Sequence, residues 1–376
     1  MKIGILTFHD SHNCGSMLQA FALQKILSDK YGCDVEIIDF SNKAQQNMYA
    51  PIPKPHNWKQ VIKAMIWLTN YRQLKKQYIG YIEFQKKYFI LSEVEYETLD
   101  ELKTIEGKYD KLITGSDQVW NIMCTDADDA YYLNFVENAK KYAYAVSFGA
   151  HNVFKLCQTD YYKNLIESMD YVSVRENNAQ KWIKQAIGQT VPICLDPTML
   201  LSEKQWTKYI DIGEKSVIKG KYIFYYCFGI SQPIARFLRK ISKKTGLPVY
   251  FFEAKEWTLK CCWVNGIKLV KEYGPDVFLN VMKHAKIVIT TSFHGTAFST
   301  IFQKNFWYID DGNNDPEKDD RALSFLRQLK LMSRYLTTEE LLEQNLYEHP
   351  NYVVVEEALS DLKKESLQFI EKIVED

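Results

Sequence analysis

Short apolar runs, each followed by a polar loop and a stretch of helical period, recur along the chain. Residues 2–8 (KIGILTF) form the first run and 9–15 (HDSHNCG) the first loop. Leu18, Phe21, Ala22, Lys25 and Ile26 then repeat at helical spacing, and a second apolar run covers 35–40. A strand that is apolar on both faces belongs to a parallel sheet covered by helices. Strand, loop, helix, strand at this spacing predicts a right-handed βαβ unit. Further strands are expected at 111–114, 142–148, 171–174 and 191–195, and a second series at 222–228, 248–252, 286–290 and 306–309. Helical stretches such as 233–244 and 276–285 separate most of them, which makes the fold class α/β.

The two series are parted by a polar stretch at 201–220 that holds Gly213 and Gly220. The chain of 376 residues is long for one domain, and two Rossmann-like domains facing a cleft are expected: residues 1–205, with a helical insertion at 41–108, and residues 206–376. A terminal helix is expected over 354–374, long enough to cross back to the first half.

Composition narrows the class. Lys and Arg number 47, as do Asp and Glu, so nothing in the charge balance favours a nucleic-acid partner. The 25 Tyr, 20 Phe and 8 Trp suit either core packing or the faces of sugar rings. The eight cysteines form no C-x-x-C pair, so free thiols in a reducing compartment are expected and a zinc ribbon is not. Asp126 and Asp128 make a D-x-D pair of little specificity, and no metal site is expected. No signal peptide and no run of membrane-spanning length is found, which points to the cytoplasm. Segment 54–87 stands apart, with Lys54, Lys59, Lys63, Arg72, Lys75, Lys76, Lys86 and Lys87 against the single acid Glu83, interleaved with Trp58, Val61, Ile62, Met65, Trp67 and Leu68. A basic amphipathic helix of this kind reads either as a peripheral contact to the inner face of the cell membrane or as a hairpin packed on the sheet with solvated lysines.

Three loops follow strand ends, where open α/β sheets bind their ligands. In the first, Gly15 and Ser16 open a helix whose free amides favour an anion or a hydroxyl, with Asp10 and Asn13 as hydroxyl ligands; a plain helix cap is the other reading. The second, 114–121, offers Ser116, Asp117, Gln118 and Asn121 as donors and acceptors and Trp120 as an aromatic face, or else a capped helix start with an anchoring Trp. The third, 290–298, sets His294 at a helix start beside the Ser292 and Thr296 hydroxyls, where it can serve as acid or base. Arg175, at the end of 171–174, is either a fork for a carboxylate or phosphate or half of a structural ion pair. Asp196-Pro-Thr198 is read only as a turn or a family landmark.

Together, Lys2-Ile-Gly-Ile, Asn13-Cys-Gly15 with Leu18-Gln-Ala, Gly115-Ser-Asp-Gln-Val-Trp-Asn121, Tyr144-Ala-Val-Ser-Phe-Gly149, Ser173-Val-Arg-Glu176, Leu195-Asp-Pro-Thr198 and Ser292-Phe-His-Gly295 resemble the polysaccharide pyruvyl transferase family, in order, over about residues 1–310. The resemblance implies a GT-B-like fold, phosphoenolpyruvate as donor, no further cofactor, and a cell-surface glycan or its lipid-linked precursor as acceptor. The product would be a pyruvate ketal. His294 and Asp117 are then the candidate catalytic residues. Arg175, Ser292, Gly295, Thr296 and Arg321 are candidates for the donor. Asp10, Asn13, Gly15, Ser116, Gln118, Trp120 and Asn121 are candidates for the acceptor. The family pattern carries an Arg two residues before its His; here that position is Ser292, and Arg321 is the cation expected to take over. A glycosyltransferase using a nucleotide sugar on the same fold, and a non-catalytic glycan-binding subunit, are the competing expectations.

Overall fold

The computed structural model describes residues 1–149, 159–310 and 321–376. Its first sheet holds β1 (Lys2–Leu6), β2 (Asp34–Phe40), β3 (Leu91–Tyr96), β4 (Lys111–Thr114), β5 (Lys140–Val146) and β6 (Tyr171–Val174). Its second holds β7 (Ile223–Tyr226), β8 (Val249–Phe251), β9 (Lys268–Leu269), β10 (Ile287–Thr290), β11 (Phe306–Asp310) and β12 (Tyr335–Thr337). Every pairing is parallel. The orders are β3-β2-β1-β4-β5-β6 and β12-β11-β10-β7-β8-β9, so each half repeats the same doubly wound topology, as expected for a GT-B-like fold. The strand order reverses between β1 and β4 in one sheet and between β7 and β10 in the other. Such switch points open a crevice at the carboxyl ends of the strands.

Seven helices position the site and its surroundings: α1 (Cys14–Lys25), α2 (Trp58–Leu68), α3 (Tyr71–Tyr88), α4 (Pro197–Leu200), α5 (Ala254–Leu259), α6 (Phe293–Ile301) and α7 (Tyr352–Glu375). α1 starts where Asn13, in extended conformation, accepts hydrogen bonds from the amides of Gly15 (2.9 Å) and Ser16 (3.4 Å). Its apolar residues are buried all round, because it lies between the first sheet and the second half of the chain. Phe21 of α1 packs on Trp206 (ring centroids 5.9 Å apart), and Trp206 on Phe298 of α6 (5.3 Å), so one apolar core runs across both halves.

The terminal helix, grouped with the second half on sequence grounds, packs on the first sheet. Lys111 Nζ donates to the carbonyls of Ile373 (2.7 Å) and Val374 (2.9 Å), the Tyr31 hydroxyl to Leu367 O (3.1 Å), and Lys140 pairs with Asp376 (2.7 Å). The expected strand at 191–195 is reduced to one bridge, Val174 to Ile193. Pro192 has no N–H for a ladder, and the chain turns into α4 at Asp196. All described cysteines are free, and Cys157 lies outside the described residues.

Candidate active site

The two switch points face each other across a cavity of about 140 Å³. The first half contributes Asn13 after β1, Asp117 and Gln118 after β4 and Arg175 after β6. The second contributes Phe228 after β7, Thr291 to His294 after β10, Tyr308 of β11, Tyr335 of β12 and Arg321. Of the expected site residues, the structure thus brings Asn13, Asp117, Gln118, Arg175, Ser292, His294 and Arg321 to one place.

A buried charge cluster forms the floor. Arg175 donates to Asp196 Oδ2 (2.7 Å), lies 3.5 Å from Asp117 Oδ1, and rests its guanidinium 4.4 Å from the centroid of Phe293. Asp117 sits at φ 69°, a left-handed conformation that Asp tolerates better than most residues, and its other oxygen accepts from the Ser16 hydroxyl at the start of α1. Asp196 caps α4, accepting from the Thr198 amide (3.0 Å) and hydroxyl (2.8 Å). Burial alone would raise the Asp196 pKa. His294, Arg175 and the Thr198 amide outweigh it and hold the carboxyl well below its ordinary range, so it is ionised. His294 Nε2 lies 3.5 Å from that carboxylate and has no hydrogen-bond partner among the described residues. The Asp196 carboxylate of the first half thus lies beside a buried, unpartnered imidazole nitrogen of the second.

Gly15 explains how the His reaches this position. A Cβ on Gly15 would lie 2.2 Å from His294 Nδ1, so only glycine lets the ring from the second half lie against α1. Gly295 has a similar packing role: its Cβ would lie 2.1 Å from Thr290 Oγ1, which donates to Tyr226 O (2.7 Å) and accepts from the Ser292 amide (2.9 Å).

Several expected roles change. Arg175 was expected to clamp the donor; its Nη1 and Nη2 instead turn to the protein's own Asp196 and Asp117. Trp120 is fully buried, donates to Tyr131 O (3.1 Å) and stacks on Tyr132 at 5.0 Å, so it offers no face to a sugar. Ser116 is buried and donates to Ala145 O (2.7 Å), and Thr296 turns back onto Ser292 O (3.1 Å). Asn121 pairs with Gln118 (3.0 Å) against Gly149. Asp10 lies under α3, within 3.4 Å of Gln85, outside the cavity. Asp128 of the D-x-D pair caps a short turn at Ala130, and no cluster of metal-ligating side chains occurs among the described residues. Asp196 and Phe293 complete the charge cluster, and neither was among the expected site residues. The signal for Asp196 was its place at the end of a β run, the same signal used for Arg175.

Comparison with known proteins agrees with this architecture. No curated protein matches the chain. Among solved structures it is similar to an α-glucosyltransferase in complex with UDP and a 13-mer DNA (13% identity, all of both chains, TM-score 0.52). It is also similar to the UDP-N-acetylglucosamine 2-epimerase of Rickettsia bellii (9% identity, 100% of this chain and 96% of that one, TM-score 0.51). A third is the UDP-GlcNAc 2-epimerase of Methanocaldococcus jannaschii (13% identity, 94% and 95%, TM-score 0.50). At these identities the likeness is one of fold. The model of one family, polysaccharide pyruvyl transferase, runs over residues 13–313, from the cap of α1 through both switch points to beyond β11, and by that match the chain belongs to the polysaccharide pyruvyl transferase family.

Proposed function

We propose that the chain transfers pyruvate from phosphoenolpyruvate to two hydroxyls of a sugar in a cell-surface polysaccharide or its precursor, forming a ketal. The observation that carries this reading is the small polar cavity lined by His294 from one half and Asp117 from the other, with Asp196 3.5 Å from His294 behind it.

The charges divide the cavity. Asn13, Asp117 and Gln118 line the first half and suit hydroxyls. Arg321, Ser292 and the first amides of α6 lie on the other side and suit a phosphate and a carboxylate. His294 gives a proton to the methylene carbon of phosphoenolpyruvate, and the neighbouring carbon becomes electrophilic. One sugar hydroxyl adds there, and the second displaces phosphate. Of the two hydroxyl protons, one replaces that given by His294 and the other leaves with phosphate or solvent. Asp117 is placed to orient the attacking hydroxyl, and Arg175 is a positioning residue for Asp117 and Asp196.

The test combines binding and turnover. Phosphoenolpyruvate at 100 times its Kd should stabilise the protein by about 2.7 kcal/mol, a visible rise in Tm, and Arg321→Ala should abolish the rise. His294→Ala should lower turnover at least ~10²-fold. A rise in Tm with a nucleotide sugar alone would overturn the donor. Wild-type turnover in His294→Ala would overturn the acid.

A further inference from the structure

Helix α2 is amphipathic the wrong way round for a packed helix. Its protein side is fixed by a few polar ties: Trp67 Nε1 donates to Lys255 O of α5 (3.2 Å), and Asn70, just after α2, donates to Thr258 (2.9 Å). Lys255 in turn reaches back to the carbonyls of Met48 (3.2 Å) and Ala50 (2.7 Å). No residue of α2 is buried. At 3.6 residues per turn, Trp58, Val61, Ile62, Met65 and Leu68 share an arc of about 120° on the side away from Trp67. All five are exposed, Trp58 to 68% and Met65 to 63%. A contiguous apolar face of this kind on an otherwise soluble fold marks a docking surface.

Charge identifies what docks. Lys59 lies beside the apolar arc on α2 itself, Lys63 lies further round toward Trp67, Lys54 precedes the helix, and Arg72 and Lys75 follow on α3. None of these five has a carboxylate partner among the described residues; in this stretch only Lys76 does, pairing with Glu272 at 2.7 Å. The single acid of segment 54–87, Glu83, lies well along α3. A second copy of the chain docked through the same face would present the same basic border and no complement to it. An anionic lipid surface complements both parts, with headgroups for the lysines and the acyl boundary for Trp58, Ile62, Met65 and Leu68.

We propose that α2 and its flanking lysines dock the protein on an anionic membrane surface, α2 lying in the interface plane. The placement also orients the catalytic cleft. α5 leaves the carboxyl end of β8, and α3 lies against the β1 loop through His12, whose ring is 4.7 Å from Tyr78 and 5.0 Å from Tyr81. The docking helix therefore stands at the strand-end rim that carries the cavity, where a lipid-linked acceptor would arrive. The docking itself is independent of the reaction catalysed.

The test is co-sedimentation of the full chain with vesicles of phosphatidylcholine alone and with phosphatidylglycerol added. Partitioning should be at least ~10-fold stronger on the anionic vesicles and should fall as salt rises. Ile62→Glu with Met65→Glu, and separately Lys59→Glu with Lys63→Glu, should each reduce it at least ~10-fold while leaving Tm and turnover on a soluble acceptor unchanged. Equal binding to both vesicle types, or wild-type binding by both pairs of variants, would overturn the proposal. So would a vesicle-free dimer that the Ile62→Glu, Met65→Glu pair dissolves, without any vesicle binding.

Discussion

Replacing Gly15 by alanine sets two effects of opposite sign against each other. Gly15 is the second residue of α1, and alanine in a helix is normally favoured over glycine by up to about 1 kcal/mol. The new Cβ, however, would stand 2.2 Å from His294 Nδ1, 2.3 Å from Cγ and 2.8 Å from Cβ. Ordinary contact begins near 3.4 Å, so the ring must recede by about 1 Å; because its own Cβ is also too close, rotation of the imidazole cannot relieve the overlap. Overpacking of this kind costs about 1–3 kcal/mol, which outweighs the helical gain. A displacement of 1 Å at a catalytic group costs about 10²-fold in rate. Gly15→Ala should therefore lose stability in a urea melt and about 10²-fold in phosphate release from phosphoenolpyruvate. Gly229→Ala is the control: its Cβ would meet nothing within 4 Å, and both readouts should hardly move. A Gly15→Ala protein more stable than wild type, with turnover within about threefold, would show that His294 does not rest against α1.

Asp196→Asn leaves the buried Arg175 without its closest counter-charge and should cost about 3–5 kcal/mol in a denaturant melt. A double-mutant cycle with Arg175→Met should return a coupling of at least about 1 kcal/mol; simple additivity would show that the pair is not coupled. Because the Asp196 pKa is depressed on folding, its stabilisation is present above the ordinary value of 3.8 and is lost as pH falls below it. Wild type should therefore lose more stability on acidification through that range than Asp196→Asn, and parallel curves would refute the assignment. Glu253, which accepts from Gln77 of α3 (3.2 Å), gives the opposite sign. Burial raises its pKa from 4.5 to about 7, so the fold prefers it neutral, and stability is present below 4.5 and lost as pH rises to about 7. For this half-buried side chain the loss should be about 1–3 kcal/mol between pH 5 and 7.5, read by urea melts. Glu253→Gln, which mimics the neutral acid, should flatten that dependence, and an unchanged slope would refute it.

What could be read from the sequence follows from burial. β4 and β6 were expected at 111–114 and 171–174, the bounds the structure gives: β4 because a central parallel strand is apolar on both faces, and β6, at the sheet edge, because its apolar run ends sharply at the charged pair Arg175-Glu176. β3, β9 and β12 went unread. β3 lies at a sheet edge and exposes Glu93, Val94 and Glu95, while β9 has two residues and β12 three. The same physics governs the site. Strand ends told which loops reach the crevice, so Asn13, Asp117, Arg175 and His294 were found. Spacing along the chain does not say which way a side chain leaves its turn, so Trp120 was expected in the cleft and lies in the core. Nor does it show that Arg175 meets an acid 21 residues further on, at the end of a run that forms a single bridge.

The cavity depends on contacts that neither half makes alone. His294 comes from the second half and its carboxylate, Asp196, precedes α4 at the end of the first. Arg175 lies over Phe293, Asn177 donates to Ser324 (2.8 Å), and Gly15 backs the imidazole, all across the same boundary. Opening the cleft enough to double the 3.5 Å separation of His294 and Asp196 would halve their attraction at fixed dielectric, and entering water would weaken it further. The histidine would then lose the carboxylate that lies beside it. The pairing of His294 with Asp196 thus exists only when the halves are together, and the apolar column of Phe21, Trp206 and Phe298 joins them through ring contacts that a polar substrate has no donor or acceptor to displace.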